Sequence, residues 1–374
     1  MTRKLLLALA AAVVLAAAGL TGWRVLRPAE VSEPATTAYP VAQIRRPGVT
    51  GKLTQAPLIV DDTIRVYAGP RLVKADAPVG AKTMYTPRWS YRRWPEQLTG
   101  VVAAGTTVVS RWSDGKLVAL DGRTGKVAWR FDGPAASPVE GRTGADAVWA
   151  PAGLLTHGTT VIVTDGSRAT AVSAGTVRWS ADCADAFVTA GGAVVCGAGA
   201  WDVTTGAALS GWPAGPYAAL GCDVARSGCA GLRDSAGRGW LATAAEPVRA
   251  PALDSPTATA GGDLVLDTAD DAVTASGAAT WRWTGTAQVL GVRAGKVVLL
   301  TADQRLVTLD AATGTQLKAF RLYVRNERKE PWKPHLWQVT DTFVAIERLW
   351  PDATDDPDEV NHYYGIDPVI AAAL

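Results

Sequence analysis

Histidine, methionine and phenylalanine are scarce in this chain, at 3, 2 and 4 of 374 residues. So little His and Met leaves almost no material for a metal or haem centre. His157, His335 and His362 have no Ser, Asp or Cys partner at motif spacing, so a hydrolytic triad is not written in the sequence. An excess of one charge is missing as well. The net charge is +2, whereas a nucleic-acid binder usually carries a clear basic surplus. No long helical period follows the first 23 residues. The four cysteines include no adjacent pair, and none lies in or just after the N-terminal apolar run, which excludes a lipid-modified cysteine there.

That apolar run is the strongest targeting signal. Thr2-Arg3-Lys4 is followed by nineteen uncharged residues, Leu5–Trp23. As a helix they would rise about 28 Å, close to the thickness of a bilayer core. Trp23, Arg24 and Arg27 suit the far interface. Ala16-Ala17-Ala18 also offers an A-x-A cleavage site. The segment is therefore read as an uncleaved single-pass anchor over 1–26, with a cleaved secretory signal as the alternative. Both readings put the remainder outside the cytoplasm, on the cell membrane or secreted. Residues 27–46 lack a hydrophobic period and read as a linker, followed by a folded region over 47–374.

Cysteine placement agrees with export. Cys183 and Cys196 bracket one hairpin, and Cys222 and Cys229 bracket the next, across the turn Ala225-Arg-Ser-Gly228. An even count, local pairing and an export signal favour two disulfides, with four buried thiols as the other reading.

Hairpins dominate the rest of the chain. Leu117-Val-Ala-Leu-Asp121 alternates like a strand buried on both faces, Asp121-Gly-Arg-Thr-Gly125 supplies turn chemistry, and Val127, Trp129 and Phe131 share one face of the return. Degraded copies recur with turns at Asp202-Val-Thr-Thr-Gly206 and Asp310-Ala-Ala-Thr-Gly314. The first unit takes Thr63–Tyr67, Arg71–Asp76 and Thr83–Tyr91 as strands. The fifth, Tyr217 to Val248, is the poorest, with strands at Cys222–Val224, Cys229–Leu232 and Trp240–Thr243. The eighth takes Leu336–Val339, Phe343–Ile346 and Tyr363–Asp367, after which Val369–Leu374 closes the ring. Units of about 40 residues match four-stranded propeller blades. The expectation is an all-β propeller of eight blades, or seven if the first or fifth unit is not a blade, behind one N-terminal transmembrane helix.

Leu117–Trp129, the Asp202 and Asp310 turns, and Trp179 and Trp283 as closing tryptophans resemble the quinoprotein (PQQ-like) β-propeller repeat family. The resemblance is clear over about 99–321. It implies either quinone- and Ca²⁺-dependent dehydrogenases or a non-enzymatic branch that includes an outer-membrane assembly scaffold. The dehydrogenases are much larger, and no position here matches their calcium ligands or catalytic Asp. Size and export suit the non-enzymatic branch, so no cofactor is expected, although this chain lacks that scaffold's lipid-anchor cysteine. Asp121 and Trp129 are expected to fasten blade to blade.

Function is expected in connections that do not repeat. Four long ones, about Arg88–Glu96, Asp132–Trp149, Arg321–His335 and Arg348–His362, should share one face of the ring. Arg321–His335 carries a basic excess that includes Arg325, Arg328 and Lys329. Arg348–His362 carries an acidic excess that includes Asp355, Asp356 and Asp358. Trp89, Trp94, Trp332 and Trp350 lie among these charges, and Trp with Arg is favoured interface chemistry. The acidic run lacks the ligand spacing of a calcium loop. Arg88, Arg92 and Arg93 with interleaved Trp could suggest nucleic acid, but export and the balanced charge oppose it. The reading is a non-catalytic, membrane-anchored, monomeric scaffold for an envelope protein or surface ligand. The alternatives are a quinone-dependent dehydrogenase and a sensor that needs a separate transducer.

Overall fold

Each repeated turn is built by its own aspartate. Asp121 Oδ1 accepts the backbone N–H of Arg123 (3.1 Å) and Thr124 (2.8 Å) and the Thr124 hydroxyl (2.8 Å). Asp202 and Asp310 accept the same three bonds from Thr204 and Thr205 and from Ala312 and Thr313. The chain therefore reverses at these places whatever lies around it. In the computed structural model, which describes residues 14–15, 28–41, 45–78, 87–224, 226–269 and 271–374, these reversals build an eight-bladed propeller. The expected anchor over 1–26 lies outside the described residues apart from Val14 and Leu15. Among the described residues no helix is long and apolar enough to cross a membrane.

Blade 2 shows the pattern: Leu98–Ala104 innermost, then Thr107–Trp112, Lys116–Asp121 and Val127–Asp132 outermost, all antiparallel. Blades 3, 6 and 7 repeat it. Blade 4 has three strands, with a single bridge from Trp201 to Ala208 in place of the fourth. Blade 5 is a true blade of short strands, Ala218–Leu220, Gly231–Arg233, Gly239–Leu241 and Val248–Arg249. Its expected strand Cys222–Val224 is instead part of the connection between the first two strands.

Three further assignments shift. Blade 1 starts with Pro57–Val60, and its outermost repeat strand is Trp89–Trp94 rather than Thr83–Tyr91; residues 79–86 lie outside the described set. The third strand of blade 8 is Val369–Ala373, not Tyr363–Asp367, and the outermost strand is Gly48–Leu53. Strand from one end of the chain thus completes a blade begun at the other. The stretch read as linker contains a strand too. Ala29–Glu33 pairs with Trp89–Trp94 as a fifth strand of blade 1, fully exposed and held by main-chain bonds to an otherwise free edge.

Apolar residues gather between neighbouring blades. Val109, Leu117 and Ala119 of blade 2 pack on Leu154, Val161 and Val172 of blade 3, and Leu266 and Val273 of blade 6 on Val297, Leu299 and Leu309 of blade 7. Burying each such side chain contributes about 1.5–3 kcal/mol, which a lone hairpin could not collect. Blade 8 is locked to blade 1 by Gln338, whose amide accepts Ile59 N–H (2.8 Å) and donates to Ile59 C=O (3.0 Å).

Tryptophans fasten the ring, but not all of the expected ones. Trp89, Trp179 and Trp281 each donate an indole N–H to a carbonyl in the next blade: Gly122 (2.8 Å), Val203 (3.0 Å) and Ala311 (2.9 Å). Each ring rests on the glycine of that blade's Thr-Gly turn. A Cβ at Gly125, Gly206 or Gly314 would come within 2.5, 2.3 or 2.7 Å of it. The resident of the Asp121 turn is Trp89, while Trp129 of blade 2 packs on Gly175 in the corresponding turn of blade 3, 3.1 Å from a would-be Cβ, as expected of a blade-to-blade fastener; blade 6 uses Trp281, not Trp283. Asp121 itself bonds within its own turn.

Candidate functional site

Connections from the outer strand of one blade to the inner strand of the next, and from second to third strands, lie on one face, called here the loop face. The Thr-Gly turns lie on the other. Three long segments fold together on the loop face, after blade 2 (133–153), after blade 7 (322–332) and within blade 8 (350–368). The expected fourth, Arg88–Glu96, is mostly the outer strand of blade 1; its link to blade 2 is only 95–97.

Segment 133–153 does not run straight to blade 3. It crosses inward over blades 1, 2 and 8 and carries the short helix Ala145–Trp149. Gly144 begins that helix at φ 70°, with Ala68 C=O only 2.8 Å from where a Cβ would sit, so a side chain is excluded there. Thr143 C=O accepts Ala56 N–H (2.9 Å), and the buried Trp149 donates to Pro57 C=O (2.9 Å).

Beneath this crossing lies a cluster of titratable groups. Glu347, 1% exposed, is hydrogen-bonded through Oε2 to His335 Nδ1 (2.7 Å) and through Oε1 to the Thr143 hydroxyl. The Glu347 bond raises the His335 pKa above its usual value, against the opposing effect of burial. Burial first, then the Glu347 charge, raises Asp146. His362 Nδ1 lies 2.9 Å from Thr354 C=O, and its ring stands 6.4 Å from that of His335. Sequence reasoning missed the His335–Glu347 pair. The turn at Thr340–Thr342 would by itself set Leu336 opposite Glu347; a register shift between Pro334 and Trp337 brings His335 there, so sequence spacing gave no signal for the pair.

Inner strands enclose a central channel of about 820 Å³, lined by Leu58, Val102, His157, Val289 and His335 among others. The connection after Ala218–Leu220 turns into this channel as a hairpin closed by Cys222–Cys229. Residues 226–229 run beside the inner strand of blade 4, Ser227 accepts Thr156 N–H (3.0 Å), and Asp223 pairs with Arg293 of blade 7. The second disulfide, Cys183–Cys196, ties the exit of blade 3 to the second strand of blade 4. Both expected pairings are present.

The expected interaction residues divide into two groups. Trp89 and Trp332 are buried, at 1% and 4% exposure. Trp350 is half-buried against Tyr364, ring centroids 4.7 Å apart. Arg348, counted from sequence as a loop charge, is fully buried. It donates to Glu327 (3.0 Å), Pro368 C=O (3.1 Å) and Asp367 C=O (3.2 Å), and stacks over Tyr364 at 4.8 Å. Burial pushes the Glu327 carboxyl up, but Arg348 and Lys52 more than offset it and leave it below its usual range. These residues hold the loops down. Arg88 bonds Thr37 on the opposite face (3.1 Å), and Arg93 forms a two-pronged pair with Asp114 (2.7 and 2.8 Å). Arg92, Trp94, Arg325, Arg328, Lys329, Asp355, Asp356 and Asp358 are exposed. Trp94 stacks under Arg71, 4.5 Å from the guanidinium.

A family model described as outer membrane protein assembly factor BamB matches residues 10–195. Over that stretch the chain resembles the PQQ-like repeat propeller family. Among solved structures it is similar to BamB from Moraxella catarrhalis, at 14% identity and a TM-score of 0.43 over 89% of this chain and 99% of that one. It is also similar to the computationally designed Ika8 protein (12%, 0.43, over 87% and 100%). A third is the C-terminal WD40 domain of Sif2 (11%, 0.45, over 89% and 99%). No curated protein matches the sequence.

Among the described residues no three His, Cys, Asp or Glu converge as metal ligands. Arg293, the guanidinium in the channel wall, is already paired with Asp223.

Proposed function

We propose that this protein is a non-catalytic, membrane-anchored propeller on the extracytoplasmic side that binds another cell-envelope protein through its loop face. One observation carries the reading. Three long segments that break the repeat fold onto one face, where Arg348, Trp332 and Trp350 pin those of blades 7 and 8 to the blades while their charged tips stay in solvent. Such a rigid, ornamented surface suits recognition. The two disulfides suit an oxidising compartment outside the cytoplasm, and the Leu5–Trp23 run suits an anchor.

The test is crosslinking in intact cells, comparing wild type with the triple variant Trp94→Ala, Arg328→Ala, Val360→Ser. All three side chains are exposed on the loop face, so folding is preserved. The expected result is loss of one specific crosslinked protein. An unchanged set of crosslinked proteins would refute the loop-face assignment.

A further inference from the structure

The path of the chain before the ring sets which way the propeller faces. Ala29 pairs with Trp94 and Glu33 with Ser90, so Ala29–Glu33 runs from the loop face toward the turn face. This direction is fixed at several points. Glu30 pairs with Arg130 of blade 2, Ser90 donates to Glu33 (2.6 Å), and Ala35 N–H bonds Thr124 C=O in the turn of blade 2 (2.8 Å). Tyr39, buried, then reaches Asp76 C=O (2.6 Å), and Gly48–Leu53 climbs back along blade 8 to the loop face. Whatever precedes Ala29 therefore leaves the ring on the loop face, at the edge of blade 1.

Only Arg24–Pro28 separates the apolar run from that strand. Five residues span at most about 17 Å even when fully extended. A domain of about 100 residues has a radius of gyration near 13 Å and does not fit in such a gap. We infer that the loop face is apposed to the membrane, with the lipid headgroup surface as its immediate neighbour and the turn face directed away. This deepens the scaffold reading and rests on its anchor. Any protein partner of this face must then present itself from within the bilayer.

The exposed side chains suit that neighbour. Val360 and Ile366 are 96% and 85% exposed on the blade 8 segment, and Trp94 with Arg71 forms an exposed aromatic–cation pair at the blade 1 edge. Charge is not the driving force. Arg325, Arg328 and Lys329 on one segment are matched in number by Asp355, Asp356 and Asp358 on the next, so net attraction to anionic lipid largely cancels.

The test places a donor fluorophore on a single introduced cysteine in the full-length protein in membrane vesicles, with acceptors on lipid headgroups. Val360→Cys reports the loop face and Ala312→Cys the turn face of the adjacent blade; both sites are exposed. Transfer is expected to be several-fold stronger from position 360 and insensitive to salt. A spacer of about twenty Gly/Ser residues between Pro28 and Ala29 is expected to abolish the difference. Equal transfer, or stronger transfer from position 312, overturns the orientation. Recovery of the protein in the soluble fraction with an N-terminus just beyond Ala18 overturns the anchor itself, and the two failures are distinct.

Discussion

Two glycines of blade 7 separate backbone strain from blade fastening. Gly314 and Gly295 sit at nearly the same left-handed conformation, φ 71° and 70°. Around Gly295 nothing lies within 4 Å of a would-be Cβ, whereas at Gly314 the Trp281 ring lies at 2.7 and 2.8 Å. Alanine at either position pays the left-handed penalty of about 1–2 kcal/mol. At Gly314 it must also displace Trp281, overpacking that costs about 1–3 kcal/mol more. It further threatens the indole bond to Ala311 C=O. Urea unfolding followed by tryptophan fluorescence should therefore rank Gly314→Ala below Gly295→Ala by about 1–3 kcal/mol. A double-mutant cycle with Trp281→Ala should remove that difference, since the obstructing ring is gone. Equal losses for the two alanines, or no coupling to Trp281, would show that the Thr-Gly glycine is not the seat of the preceding blade's tryptophan.

Protonated His335 is stabilised by Glu347 in the folded state, which raises its pKa. The contribution is therefore fully present below about pH 6.5 and lost as pH rises through the folded-state value. Denaturation midpoints measured across pH 5–9 should show this slope in wild type and lose it in Glu347→Gln; an unchanged slope would contradict the pairing. Arg348→Met leaves the buried Glu327 carboxylate with only Lys52, 3.4 Å away, and the Val324 N–H, 3.1 Å away, and should cost about 3–5 kcal/mol. Adding Glu327→Gln should recover part of that loss in the same unfolding assay, and its failure to do so would place the loss elsewhere.

Repetition was legible because its cause is local. Asp121, Asp202 and Asp310 each close a turn with bonds to residues two and three positions ahead, so the motif marks the reversal wherever it stands. The disulfides were legible for a similar reason, each joining cysteines close in sequence. Choosing Trp281 over Trp283 was not. Both lie on the same face of one strand, and the seat that selects between them belongs to a turn some thirty residues later in the next blade. Trp332, Trp350 and Arg348 looked like surface chemistry because their sequence neighbours are charged. Only the folding of two loops against each other buries Arg348 and Trp332 and half-buries Trp350.

Ala29–Glu33 marks the limit most clearly. Its five residues have no strand pattern and bury nothing, and they become a strand because blade 1 offers an unpaired edge. Sequence alone determined the all-β class, the blade period and the cysteine pairs, because alternation, turn chemistry and short-range crosslinks act within one hairpin. Tertiary structure decided which tryptophans fasten the ring, how its two ends close it, what lies beneath the loops and where the chain leaves the loop face. Each of those depends on contacts between blades, whose geometry no single repeat contains.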